Sequence, residues 1–234
     1  SWDPERYIFV METLPGKSIP TLPRQARFHP MLARRLGEAM ALVHDQCAAI
    51  AAAPDLQNHF LRALPTFLNA PQTARESATD SSLSLAQKEY LTVLRNHPEF
   101  DPPLAELRQS WRGETLIHSD WKIANCLADP AHPEAMPHII DWELVRRGDS
   151  LWDAATLLQS YWSRWVEQPL EWPLEEIRPA LQGFWSAYAG ARRWSEEEAA
   201  ANRLRAVSLA GARMLQTIWE YTVDLPALAP MHIR

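Results

Sequence analysis

The sequence predicts a mainly α, α+β domain, and three observations lead there. Apolar residues recur three and four apart over long stretches on both sides of the middle of the chain, as helices facing a core require. Short β-branched or aromatic runs are confined to the first dozen or so residues and to the region 115–140. The 234 residues are 47% hydrophobic and 22% charged, a balance that lets folding bury roughly 70% of the extended surface.

Taken in order, Tyr7 to Met11 (YIFVM) predicts a lone strand that stops at the turn residues Pro15 and Gly16. Pro30 opens a helix that runs to about residue 52, with Leu32, Leu36, Ala39, Val43 and Cys47 on one stripe. Pro54 to Ser82 is interrupted by prolines and reads as a short helix and a polar loop. Ser84 and Gln87 have capping-box spacing for a helix through Leu91 and Leu94, and another short helix covers Leu104 to Trp111. Three short strands follow: TLI at 115–117, CLA at 126–128 and HII at 138–140. Beyond residue 150 the chain is helical again. Ser150 with Asp153 and Ser195 with Glu198 have capping-box spacing, and the last helix carries Val207, Ala210, Met214, Ile218 and Tyr221. Most of the eleven tryptophans, among them Trp152, Trp162, Trp165, Trp185 and Trp219, fall where a core use explains them.

Composition removes several classes of function. A formal charge of −6 without a Lys/Arg cluster argues against a nucleic-acid backbone as partner. The absence of a long uncharged apolar run argues against a membrane span. Two cysteines, Cys47 and Cys126, make no disulfide framework, so a reducing cytoplasm is the expected setting.

The chemistry is concentrated in LIHSDWKIANCL, residues 116–127, and HIIDWELVRRGDSLWD, residues 138–153. A strand end at Asp141 is expected to bury a carboxylate, and an unpaired buried charge costs several kcal/mol. A divalent cation removes that cost, and Asn125 and Asp141 are hard oxygen donors suited to Mg²⁺, which completes its shell with water and substrate phosphates. Asp120 is then free to receive or orient a hydroxyl proton, and Lys122 offsets charge on a transferred phosphoryl group. His118 reads as a brace for the loop. Asp149 and Asp153 read as capping residues at a helix start, with Arg146 and Arg147 solvated or paired to them. His132 and His138 lack zinc-site spacing.

These segments resemble the catalytic segment of the aminoglycoside phosphotransferase and choline kinase family, within the protein-kinase-like fold: HSDWKIAN, then IIDWE and GDSLWD. The resemblance spans nearly the whole chain as a large C-terminal lobe: a helical bundle with a few short strands around the catalytic loop. It implies a hinge strand and linker at 1–16 and the lobe at 17–234, with the catalytic loop at 115–128, the metal strand at 138–143 and closing helices at 150–225. The Glu12 carbonyl and Leu14 amide would face an adenine edge, and Leu127 would lie beneath the ring. Trp142 and Glu143 replace the family's Phe and Gly, and Ser119 and Trp121 depart from its commonest residues without removing a reacting group. The implied activity is transfer of the γ-phosphate of ATP, with Mg²⁺, to a hydroxyl of a small molecule (aminoglycoside-, choline- or homoserine-like) or of a peptide Ser/Thr. Glu167, Glu171, Glu175 and Glu176 offer negative charge to a cationic acceptor or form an acidic surface loop. No Gly-rich loop or strand lysine stands before Tyr7, so the resemblance places the small lobe in a longer reading frame. The alternatives are a second chain supplying that lobe, or a binding module of pseudokinase type. The longer reading frame is favoured because Asp120, Asn125 and Asp141 keep the spacing that transfer requires.

Overall fold

The computed structural model describes residues 13–53, 64–69, 82–167 and 169–223, positions 60 and 225, and the backbone of 2–3 and 8–9. Within these, two short strands, β1 (Trp2–Asp3) and β2 (Ile8–Phe9), pair antiparallel. The opening strand is therefore not alone; Tyr7, Val10 and Met11 lie outside the described residues. β3 (Lys17–Ser18) leads through a 3₁₀ turn, Ile19–Thr21, to α1 (Arg24–Arg27) and α2 (Pro30–Ala52). After the 3₁₀ turn Thr66–Asn69 come α3 (Leu85–Asn96) and α4 (Asp101–Gln109). Next are β4 (Thr115–Ile117), β5 (Cys126–Ala128), β6 (His138–Ile139) and β7 (Arg146–Gly148). The bundle closes with α5 (Ser150–Glu167), α6 (Leu174–Ala191) and α7 (Glu196–Thr222). No described helix is long and apolar enough to cross a membrane.

Local chemistry explains most of the helix starts. Pro30 sits at the first turn of α2, whose Met31 N–H donates to the His29 ring. Both expected capping boxes form: Ser84 with Gln87 on α3, and Ser195 with Glu198 on α7. The Ser150–Asp153 box does not form. Asp149 caps α5 instead, accepting from Leu151 N–H at 3.1 Å, while Ser150 Oγ donates to Glu114 and Asp153 turns inward.

Packing sets the frame for the loops. Helix α2 lies along α6, and Gly37 allows the close approach: a Cβ there would meet the Phe184 carbonyl oxygen and sit 2.9 Å from the Tyr188 nitrogen. Helix α5 packs on α7, and a single main core contains Trp121, Trp152, Tyr161, Phe184 and Tyr188. The tryptophan expectation holds for Trp152 and Trp185, while Trp162 and Trp219 are half-buried and Trp165 is exposed at the end of α5. On α7 Ala210 is buried as expected, beside Ala206, Leu209, Ala212 and Arg213, while Met214 and Ile218 are half-buried and Val207 and Tyr221 are exposed. An arginine with paired donors can occupy a core stripe that hydropathy alone assigns to its apolar neighbours.

Two small sheets hold the loops against this bundle. β3, β5 and β6 form one antiparallel sheet with β5 central, and β4 pairs with β7 in register Ile117↔Arg146 to Thr115↔Gly148.

Candidate active site

Strand β4 delivers His118 into the core, where it is fully buried. Its backbone N–H donates to Asp153 Oδ2 at 2.8 Å, and Ser119 N–H donates to Asp153 Oδ1 at 2.8 Å. His118 Nδ1 accepts from Asp120 N–H, so Nε2 carries the proton and donates to the Ile140 carbonyl at 2.9 Å. The imidazole thus braces the loop against the segment bearing Asp141, and Trp142 packs on it with ring centroids 4.7 Å apart. Asp153, also fully buried, binds His44 Nε2 at 3.1 Å, and His44 Nδ1 meets the Tyr188 hydroxyl at 2.9 Å. The sequence reading made Asp153 a helix-start residue; its carboxylate anchors the loop to α2 and α6 instead.

Three of the expected site residues converge. Asp120 Oδ2 pairs with Lys122 Nζ at 2.7 Å, and the Asn125 amide donates to Asp120 Oδ2 at 3.2 Å and to its carbonyl at 3.0 Å. The other carboxylate oxygen, Oδ1, accepts from Arg213 Nη2 at 3.1 Å. Arg213 is 4% exposed and also donates to Thr217 and Glu220, both at 2.9 Å. Sequence reasoning missed it: Arg213 lies on another helix, 93 residues away.

Asp141 is brought next to Asn125 by the β5–β6 pairing, in which Ile140 N–H donates to the Asn125 carbonyl at 3.0 Å. Its expected burial is corrected. With φ 71° and ψ 53° the chain turns out of the sheet at Asp141, and the carboxylate is exposed. Desolvation therefore gives no argument for a metal, and the donor set supplies one in its place. Among the described residues the Asp141 carboxylate has no hydrogen bond or ion pair, and Asn125 spends its amide nitrogen on Asp120 while its Oδ1 accepts nothing. Two open hard oxygens fit Mg²⁺, which needs few protein ligands. No group of three or more His, Cys, Asp or Glu converges for metal binding among the described residues, so a closed all-protein cage is not built there.

Leu127 lies on β5, half-buried, opposite Ser18 and His138. Leu14 precedes Gly16, whose φ of 100° is one that side chains rarely adopt and whose Cβ would fall 3.1 Å from the Ala128 carbonyl. Glu12 lies outside the described residues. Beside Asn125, burial pushes the Cys126 thiol up to about 12, so it is no nucleophile at neutral pH. Arg146 and Arg147 do not pair with Asp149: their side chains donate to the Leu144 and Gly113 carbonyls. Arg205 takes Asp149 in their place. A cavity of ≈310 Å³ opens beside Asp120, walled by the loop after β4, β7 and α7. Glu167, Glu171, Glu175 and Glu176 do not line it; Glu176 and Glu175, in the first turn of α6, pair with Arg24 and Arg178.

A mainly helical domain that sets a loop carboxylate and a lysine beside one cavity, with an amide bound to that carboxylate and a second carboxylate on the adjoining strand end, has the parts of a phosphotransferase. The chain belongs to the phosphotransferase enzyme family (APH), whose sequence profile matches residues 2–196. Among solved structures it is similar to one described as the crystal structure of aminoglycoside-3'-phosphotransferase of type VIII. That likeness has 20% identity over 85% of this chain and 67% of the other, with a TM-score of 0.42. No curated protein matches the chain.

Proposed function

We propose that the chain transfers the γ-phosphoryl group of ATP, with Mg²⁺, to a hydroxyl of a small molecule or peptide. The observation that carries this reading is the Asp120 carboxylate, which faces the cavity while Lys122 and Asn125 contact it from the same loop. Asp120 orients the acceptor hydroxyl and takes its proton as the oxygen bonds to phosphorus and the bond to the ADP oxygen breaks. Lys122, at 2.7 Å from Asp120 and 43% exposed, turns toward the moving phosphoryl group and offsets its charge. Asn125 Oδ1 and the Asp141 carboxylate hold the cation. A Mg²⁺ held there would supply positive charge against the phosphates of the nucleotide. Leu14 and Leu127 take the adenine, together with the Glu12 carbonyl that the family resemblance implies.

The complete gene product tests this. Asp120→Asn and Asp141→Asn should each abolish ATP-dependent phosphorylation of an acceptor panel, and full activity in either variant would refute the assignment. If calorimetry shows ATP and Mg²⁺ binding while the wild-type protein transfers no phosphate to any acceptor, the pseudokinase reading replaces it.

A further inference from the structure

We propose that the cavity beside Asp120 selects a small hydroxyl compound carrying a carboxylate, rather than the cationic acceptor that acidic helices would suit. The proposal rests on the reading that Asp120 faces the acceptor. The cavity is lined by Asp120 and Lys122 of the loop, Arg146 of β7, and Arg213, Gln216 and Glu220 of α7, so its wall is polar and suits a polar ligand.

Charge points the same way. The lining holds three cations, Lys122, Arg146 and Arg213, against two carboxylates, Asp120 and Glu220. Both carboxylates are already engaged by Arg213, and Asp120 also by Lys122. Arg146 has no carboxylate partner among the described residues; its Nε donates to the Leu144 carbonyl, which leaves the far end of the guanidinium for a ligand. A carboxylate meets that fork in two parallel hydrogen bonds. A quaternary ammonium or polyamine finds no uncommitted carboxylate there. At ≈310 Å³ the cavity stands at the small end of ligand pockets, so the acceptor is compact.

The test is binding to the full-length protein without nucleotide, read by calorimetry and ligand-observed NMR. The probes are glycerate and gluconate, their uncharged counterparts glycerol and glucitol, and choline. At least one of the two carboxylates should bind about tenfold more tightly than its alcohol and than choline. Arg146→Gln should erase that preference while leaving the weak binding of the alcohol unchanged. Equal affinity for acid and alcohol, tighter binding of choline, or no binding by either acid would overturn the proposal. Because binding is read without ATP, a protein that prefers the acid but transfers no phosphate refutes the catalytic reading alone. A protein that phosphorylates choline or glycerol in preference to the acids refutes the acceptor class alone.

Discussion

Replacing Arg213 with methionine isolates the contact that ties the Asp120 loop to α7. The change deletes three donated hydrogen bonds, to Thr217, Glu220 and Asp120, and keeps most of the apolar stem. The bond to Thr217 is worth about 1 kcal/mol. Glu220 is 47% exposed, so its pair contributes less than about 1 kcal/mol. Asp120 is 14% exposed, and breaking a buried pair costs about 3–5 kcal/mol when it strands a charge. Lys122 and the Asn125 amide remain on Asp120, which lowers that share to about 1–2 kcal/mol. The sum is about 3 kcal/mol, a fall in Tm of about 6–12 °C at this chain length. Urea and thermal unfolding followed by circular dichroism measure it, and a cycle with Asp120→Asn should return a coupling of about 1–2 kcal/mol. Arg213→Met combined with Asp120→Leu should recover part of the loss, since an apolar replacement of a whole buried pair is often neutral. A single-variant loss under about 1 kcal/mol, or zero coupling, would refute the clamp.

Two further outcomes follow from packing and from buried titratable groups. Gly37→Ala should destabilise by about 1–3 kcal/mol, because the added methyl meets backbone of α6 that cannot rotate away, whereas Gly190→Ala, with nothing within 4 Å, should be neutral or stabilising in the same unfolding assay. Stability should fall as pH rises above about 9. The Cys126 thiol is raised from its ordinary 9.0 to about 12 by burial, and burial also raises the hydroxyls of Tyr90, Tyr161 and Tyr188. The folded state therefore keeps protons that the unfolded chain releases, so this stability is complete below the ordinary values and drains as pH climbs toward the folded ones. A flat urea midpoint from pH 8 to 10 would contradict this, as would alkylation of Cys126 in the native protein at pH 8.

What could be read from the sequence was what is encoded locally. The capping boxes at Ser84 and Ser195 formed because each needs only residues three apart, and Asp120, Lys122 and Asn125 meet because one loop carries all three. Strand β7 escaped notice because Arg146, Arg147 and Gly148 have no strand pattern; their pairing is backbone to β4, and side chains do not advertise it. Arg213 and His44 were missed, and Asp153 was read only as a cap, for a different reason. Each is polar, buried and paired with a group far away in the chain, and hydropathy places such residues on a surface. The signal that did exist was the charged residue inside the apolar stripe of α7, between Ala210 and Thr217, where a solvated arginine would interrupt the packing.

The backbone explains why those distant groups must be polar. Ser119 and Asp141 have φ of 73° and 71°, and they are two of the three described non-glycine residues with positive φ. Aspartate tolerates that region, while serine there costs on the order of 1 kcal/mol and persists only if its surroundings hold it. Asp153 takes the N–H groups of both His118 and Ser119, and Trp152 Nε1 donates to the Ser119 carbonyl at 3.2 Å, so two adjacent residues of α5 fix both sides of the strained unit. A fully buried carboxylate is expensive in turn, and His44, held by Tyr188, supplies the third hydrogen bond that makes it tolerable. Strain at Ser119 thus propagates as a requirement for a polar core at α2, α5 and α6. That requirement is what presents the Asp120 carboxylate to the cavity from a loop that would otherwise relax away from it.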